Sequence, residues 1–299
     1  MYRQQNPKVS IITVNYNQAA VTCEMLESLR ALTWKNTEVL VVDNASAENC
    51  DVIKEKYPEV ELIKSKTNLG FAGGNNLAIV KATGDYLLLI NNDTEVSPGF
   101  IEPLLETFAR HDKAGVVSPK IVFYYTNNLI QYAGTNKINP LTCRGETVGY
   151  MQKNDGRFDS ETRTDLSHGA CMIFSREVLD KVGIMDDSYF LFYEEYDYCE
   201  RVKRAGFDIY YNGQSQILHK QSVSVGKASP MKSYFMTRNR IYFSRKNFSG
   251  LNRLSAVAYT YMIAIPVNLL RELIQGRWQN SLAIARGAWW NLFHSPQRV

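Results

Sequence analysis

Short apolar runs alternate along the chain with longer stretches in which apolar positions recur every three or four residues. Val9-Ser10-Ile11-Ile12-Thr13-Val14-Asn15 is β-branched and almost continuously apolar, which predicts a strand buried on both faces of a sheet. Val21, Met25, Leu26, Leu29 and Leu32 then recur at helical spacing, predicting a crossover helix to a second strand at 38–42. The alternation continues with a helix at 50–57, a strand at 60–63, a Gly-rich turn leading into a helix that ends at Ala82, and a strand at 87–90. Next come a helix from Pro98 to His111 and a strand at 115–118. Residues 122–164 lose periodicity and read as a polar insertion over a site. Order returns with a strand at 169–174, helices at 176–182 and 195–205, and two short strands at 208–211 and 216–219. From Pro230 onward the pattern is helical. The expectation is an α/β fold: a Rossmann-like, doubly wound mixed sheet with a C-terminal helical extension.

Polar residues collect where the apolar runs stop. Asn15 and Asn17 follow the first strand, Asp43 the second, and Asn91-Asn92-Asp93 the central one. In such sheets ligands bind outside the carboxyl ends of the strands, although each of these residues is also a common turn former. The stretch Asn68-Leu69-Gly70-Phe71-Ala72-Gly73-Gly74 does not have the dinucleotide-binding spacing; it reads as a tight turn or as a backbone that approaches a phosphate or sugar closely. Glu194-Glu195 follows the aromatic run Phe190, Phe192, Tyr193. Acids there either stabilise a helix N-terminus or form a base poised at an apolar boundary. Asp197 and Arg201, spaced i,i+4, support that helix. His219 is a structural residue in one reading; in the other it joins Asp93 in a hard-cation site suited to Mn²⁺ or Mg²⁺.

Charge divides the chain. Residues 1–226 hold 23 of the 34 Lys+Arg and 29 of the 30 Asp+Glu, a balance of −6, whereas residues 227–299 hold 11 basic residues and only Glu272, a balance of +10. Such a surface suits anionic lipid or a phosphorylated substrate, and nucleic acid is not an expected partner. The apolar run 254–270, interrupted by Pro266 and Asn268, reads as an interfacial or buried helix rather than a transmembrane one. Nearby Arg271, Arg277, Trp278, Arg286, Trp289 and Trp290 suit a lipid surface, with packing on the rest of the chain or a homodimer through these helices as the other reading. No apolar leader precedes Val9, so a secretory signal is not expected. Five widely spaced cysteines without a C-x-x-C pair point to a reducing, cytoplasmic compartment.

Taken in order, the blocks 9–17, 42–46, 68–75, 91–93 and 194–197 resemble family 2 glycosyltransferases, on the rhamnosyltransferase-like branch, over about residues 9–240. That resemblance implies a GT-A fold, a nucleotide-diphosphate sugar donor with dTDP-rhamnose foremost, a divalent metal, and inversion at the anomeric carbon. The implied acceptor is a hydroxyl of a saccharide or lipid-linked saccharide in cell-surface polysaccharide synthesis. Carried over by residue, Asp43 would contact the base or ribose, and Asn15, Asn17, Asn68, Gly74, Asn91 and Asn92 would line the donor crevice. Asp93 and His219 would hold the metal, Glu195 with Glu194 beside it would be the general base, and Arg238-Asn239 would contact the diphosphate. Asn91 replaces the first acid of an Asp-x-Asp motif, leaving one carboxylate fewer for the metal. The implied domains are 1–226, split into a nucleotide-binding half (1–121) and an acceptor-binding half (122–226), and a basic helical region at 227–299. Two other classes stay open: a nucleotidyltransferase, disfavoured because Tyr16-Asn17-Gln18 offers no basic phosphate grip, and a non-catalytic nucleotide-sugar or carbohydrate-binding protein.

Overall fold

Successive residues of the apolar runs point to opposite faces of one sheet, which is why the runs are continuous rather than alternating. Ile11, Leu88, Ile90, Val117 and Ile173 fill one core, whereas Ile12, Leu87, Leu89, Val116 and Phe174 fill the other. Each such side chain contributes about 1.5–3 kcal/mol when fully buried. The computed structural model describes residues 6–220 and 229–296. The first half runs β1 (Val9–Asn15), α1 (Ala19–Arg30), β2 (Thr37–Asp43), α2 (Asp51–Lys56), β3 (Glu61–Lys64), α3 (Gly70–Ile79), β4 (Tyr86–Ile90), β5 (Thr94–Val96), α4 (Ile101–Arg110) and β6 (Ala114–Phe123). Then come β7 (Ile130–Tyr132), β8 (Thr162–Arg163), β9 (Cys171–Ser175), α5 (Arg176–Val182), α6 (Glu194–Arg204) and β10 (Asp208–His219).

Among the described residues these strands form one ten-stranded sheet in the order β3-β2-β1-β4-β9-β6-β10-β5, with β7 beside β6 and β8 beside β10. β2, β1 and β4 pair in parallel, as do β6 and β10, while β9 lies antiparallel between β4 and β6. The carboxyl ends of β1, β2, β4, β6 and β10 therefore share one edge, and β9 starts from it.

Several expected boundaries move. The helix begins at Ile101, because Pro98-Gly99 is spent on the turn before it. The two short strands are one, β10, whose register slips between Asn212 and Gln216. The polar insertion contributes two strands, and β6 crosses the 121/122 division, so the sheet is continuous across the expected halves. The 226/227 boundary lies outside the described residues.

The C-terminal region is α7 (Pro230–Asn247), α8 (Gly250–Tyr259), a π turn (Thr260–Ala264), α9 (Ile265–Ile274) and α10 (Trp278–Phe293). Pro266 lacks the N–H of an α-helical bond, and the wider turn just before it accommodates its ring without breaking the helix. Gly250–Ile274 is thereby one 25-residue helix, long and apolar enough by length and composition to cross a membrane. The buried reading of this run does not hold, since Leu254, Met262, Leu270 and Ile274 are exposed. α7 packs along α10 at close range because a Cβ on Gly287 would fall 2.6 Å from Tyr234 O.

Candidate active site

Strand pairing assembles the site. His219, the last residue of β10, is opposite Thr94 of β5, which brings its ring beside Asp93; Asn15 and Asp43 are register partners on the same edge. His219 Nε2 lies 3.1 Å from Asp93 Oδ1, and both residues are buried. On the ring's other side Nδ1 is 2.7 Å from Gln131 Oε1. An amide oxygen only accepts, so Nδ1 donates to it and Nε2 faces the carboxylate, with Asn91 Nδ2 at 3.5 Å. A ring nitrogen and a carboxylate oxygen at this separation are bridged by a proton or by a cation. Among the described residues no three His, Cys, Asp or Glu converge as a metal cage. Asp93 and His219 are two residues that could hold a divalent ion, which would need further ligands from outside these side chains. His168, its ring 6.3 Å from that of His219, adds no competing charge: burial first, and His219 second, push its imidazole pKa down to about 3.

The other pole is the N-terminus of α6. Phe190, Phe192 and Tyr193 have φ of 62°, 69° and 73°, a left-handed backbone that costs bulky residues about 1–3 kcal/mol each. The strain delivers Glu194 and Glu195 into the first turn, where Oε2 of each lacks a hydrogen-bond partner. Burial, then the Glu195 charge, raises the Glu194 carboxyl well above the usual range, and burial pushes Glu195 up to about 7. A carboxyl poised there can exchange a proton near neutral pH. Glu195 packs over Gly169, where a Cβ would lie 3.8 Å from its Cδ. The neighbouring Ala170 O accepts from Asn91 N at 2.9 Å, so one turn joins the two poles. The expected Asp197–Arg201 pair forms at 3.0 Å, but in the core, where Lys246 of α7 completes it, also at 3.0 Å.

The remaining expected site residues divide. Asp43 is on the edge, its Oδ1 accepting from Ser46 N. Exposed Asn17, with φ 54°, accepts from Ala47 N, and Asn92 donates to Thr22 Oγ1. Asn15 is fully buried, its amide shared among Thr22, Ser46 and Cys50, so it organises the edge from beneath. Asn68 Oδ1 accepts from Gly70 N and from Asn44. The Gly-rich stretch is not a loop but the start of α3. Gly74 faces Val14, 3.0 Å from where a Cβ would sit, so a side chain there would crowd β1. Arg238 and Asn239, expected at the diphosphate, are both buried on α7, with Arg238 Nη2 and Asn239 Nδ2 donating to the 188–192 main chain. Sequence reasoning missed Gln131 and Gly169. The apolar bracket of Ile130 and Tyr132 around Gln131 was the available strand signal.

Residues 10–183 match the family model Glycosyl transferase family 2. The chain belongs to this family. The match ends before Glu194, so Glu194, Glu195 and His219 lie beyond it. Among relatives of this family 2 glycosyltransferase, the low-salt glycan biosynthesis hexosyltransferase Agl10 of Haloferax volcanii is 26% identical over 86% of this chain and 82% of its own. The N-acetylglucosaminyl-diphospho-decaprenol L-rhamnosyltransferase of Mycobacterium tuberculosis is 26% identical over 73% and 77%. Of solved structures, the mannosyltransferase PcManGT of Pyrobaculum calidifontis, in complex with GDP-Man and Mn²⁺, superposes with TM-score 0.58 at 16% identity over 97% of this chain and 81% of that one. GalNAc-T7 with UDP, GalNAc and Mn²⁺ gives 0.64 at 14% over 89% and 58%. The fold is GT-A.

Proposed function

We propose that this glycosyltransferase moves a sugar, L-rhamnose from dTDP-rhamnose, from a nucleotide-diphosphate donor to a hydroxyl of a saccharide or lipid-linked saccharide, with inversion, in cell-surface polysaccharide synthesis. The observation that carries this is the pairing of an unsatisfied carboxyl at the α6 N-terminus with the Asp93–His219 pair on the same sheet edge. The rhamnosyl assignment is supported by the name of one relative.

An acceptor hydroxyl is a poor nucleophile until its proton is removed, and Glu195 is the residue we assign to that step. Burial and the neighbouring charge disfavour ionisation of Glu194, so the pair's negative charge is favoured on Glu195. The hydroxyl oxygen then bonds to the anomeric carbon as the bond to the diphosphate oxygen breaks, which inverts the centre. Asp43 serves the base or ribose, with Asn17, Asn91 and Asn92 beside it. A divalent cation, Mn²⁺ or Mg²⁺, held by Asp93 and His219 would neutralise charge on the departing diphosphate. On this reading residues 1–121 serve the nucleotide and 122–226 the acceptor.

Thermal unfolding against dTDP, UDP, GDP and their sugar conjugates, with and without Mn²⁺ or Mg²⁺, tests the assignment. One nucleotide at about 100 times its Kd should add roughly 2.7 kcal/mol, or about 2 °C or more, only when metal is present. No gain under any metal would favour a non-catalytic binding protein.

We place the protein in the cytoplasm, peripheral on the inner membrane face, where a lipid-linked acceptor is reached. Exposed Trp278, Trp289 and Phe293, with exposed Arg271 and Arg286, support this. Co-sedimentation with anionic vesicles should be strong at low salt and fade as salt rises. A concentration-dependent dimer indifferent to vesicles would instead assign the same helices to a second copy.

A further inference from the structure

Each main-chain carbonyl from Ser188 to Phe192 has a donor, and two adjacent side chains of α7 supply four of the five. Arg238 Nη2 donates to Ser188 O and Tyr189 O, both at 2.6 Å. Asn239 Nδ2 donates its two hydrogens to Leu191 O at 2.8 Å and Phe192 O at 2.7 Å, and also lies 2.9 Å from Tyr189 O. Phe71 N takes the fifth, Phe190 O, at 2.6 Å, and Gly70 is glycine because any Cβ there would overlap that carbonyl. The segment carries the left-handed residues, and buried carbonyls without donors would not keep it folded that way.

The two side chains act as one unit. Asn239 Oδ1 accepts from Arg238 Nε at 2.7 Å, and Asn239 is fully buried. Phe235 of α7 itself and Trp290 of α10 flank the guanidinium, each ring centroid at 4.7 Å, and Asn291 Nδ2 of α10 donates to Arg238 O at 2.9 Å. A planar fork matches two convergent carbonyls in a way that an ammonium does not.

We propose that Arg238 and Asn239 are positioning residues: they hold the 188–192 main chain in its left-handed path so that the α6 N-terminus presents Glu194 and Glu195 to the crevice. This rests on the reading of Glu195 as the base. The C-terminal helices then complete the active site without touching substrate.

Asn239→Ala and Arg238→Lys test it in the full chain, with Glu195→Gln measured alongside. In N239A, kcat should fall at least tenfold with donor KM within twofold of the parent. The midpoint of the kcat pH profile should move, and chymotrypsin should cut faster among Tyr189, Phe190, Phe192 and Tyr193. R238K should change the same readouts in the same direction by less, and it carries the test if N239A is not recovered folded. Raised donor KM with kcat intact would overturn the proposal in favour of a diphosphate contact, as would unchanged kcat, pH midpoint and cleavage. Full activity in E195Q would remove the base reading and this proposal together. Loss of activity in E195Q with none in N239A would remove this proposal alone.

Discussion

The two poles of the site are built by opposite means. At the Asp93–His219 pole, side chains come from strand ends and from a strand beside them, and Gln131 fixes the imidazole. At the Glu194–Glu195 pole, the backbone is strained, carboxylate oxygens lack partners, and support comes from helices outside the sheet. The difference teaches that the Asp93–His219 pole follows from the fold itself, since any doubly wound sheet gathers strand ends on one edge. The Glu194–Glu195 pole does not. On the proposed reading it is a proton acceptor whose charged form is poorly solvated, and a protein keeps such a group in place only by fixing its surroundings.

The largest test of this contrast is Glu195→Gln, which should lower transfer by roughly 10²- to 10⁴-fold while leaving metal-dependent donor binding intact. In the parent enzyme the rate should climb as pH rises through about 7, where Glu195 loses its proton; a rate flat across that range would place the base elsewhere. Loss of donor binding in E195Q would break the contrast, because the poles would then not be separable.

A smaller effect concerns stability. The Glu194 carboxyl is raised above its unfolded value, so its contribution is complete below the ordinary carboxylate range and is lost as pH rises through the folded value. Glu194→Gln carries no titrating proton. Its unfolding midpoint should exceed the parent's by about 2–4 °C at pH 8 for each kcal/mol relieved, and the gap should close towards pH 5. Equal midpoints at both values would mean that the pair relaxes its charge by another route.

How legible each pole was in the sequence follows from the same contrast. Apolar runs ending in Asn or Asp gave the strands, their order of appearance and the polar edge of the sheet, because period and turn chemistry are local. Glu194-Glu195 stood out through the aromatic run before it. What stayed hidden was long-range: Gln131 sits in an aperiodic stretch and acquires meaning only when β7 pairs with β6. Arg238-Asn239 reads as a diphosphate contact by resemblance, and sequence does not reveal which carbonyls a guanidinium will meet. The Gly-rich stretch stays open in sequence between a tight turn and a close approach to phosphate or sugar, because glycine in tight helix-to-sheet packing and glycine under a phosphate read alike.

The antiparallel strand β9 has a consequence for synthesis. β1 to β4 are joined by short crossovers and can pair as soon as they leave the ribosome, yet Tyr86-Leu87-Leu88-Leu89-Ile90 has its second neighbour only when Cys171–Ser175 has been made. Until then the most apolar strand of the sheet is an open edge, with its N–H and C=O groups free to recruit another chain. The nascent protein therefore passes through an interval in which its own catalytic sheet is its main aggregation hazard, and the interval closes when the strand from the second half slots between β4 and β6.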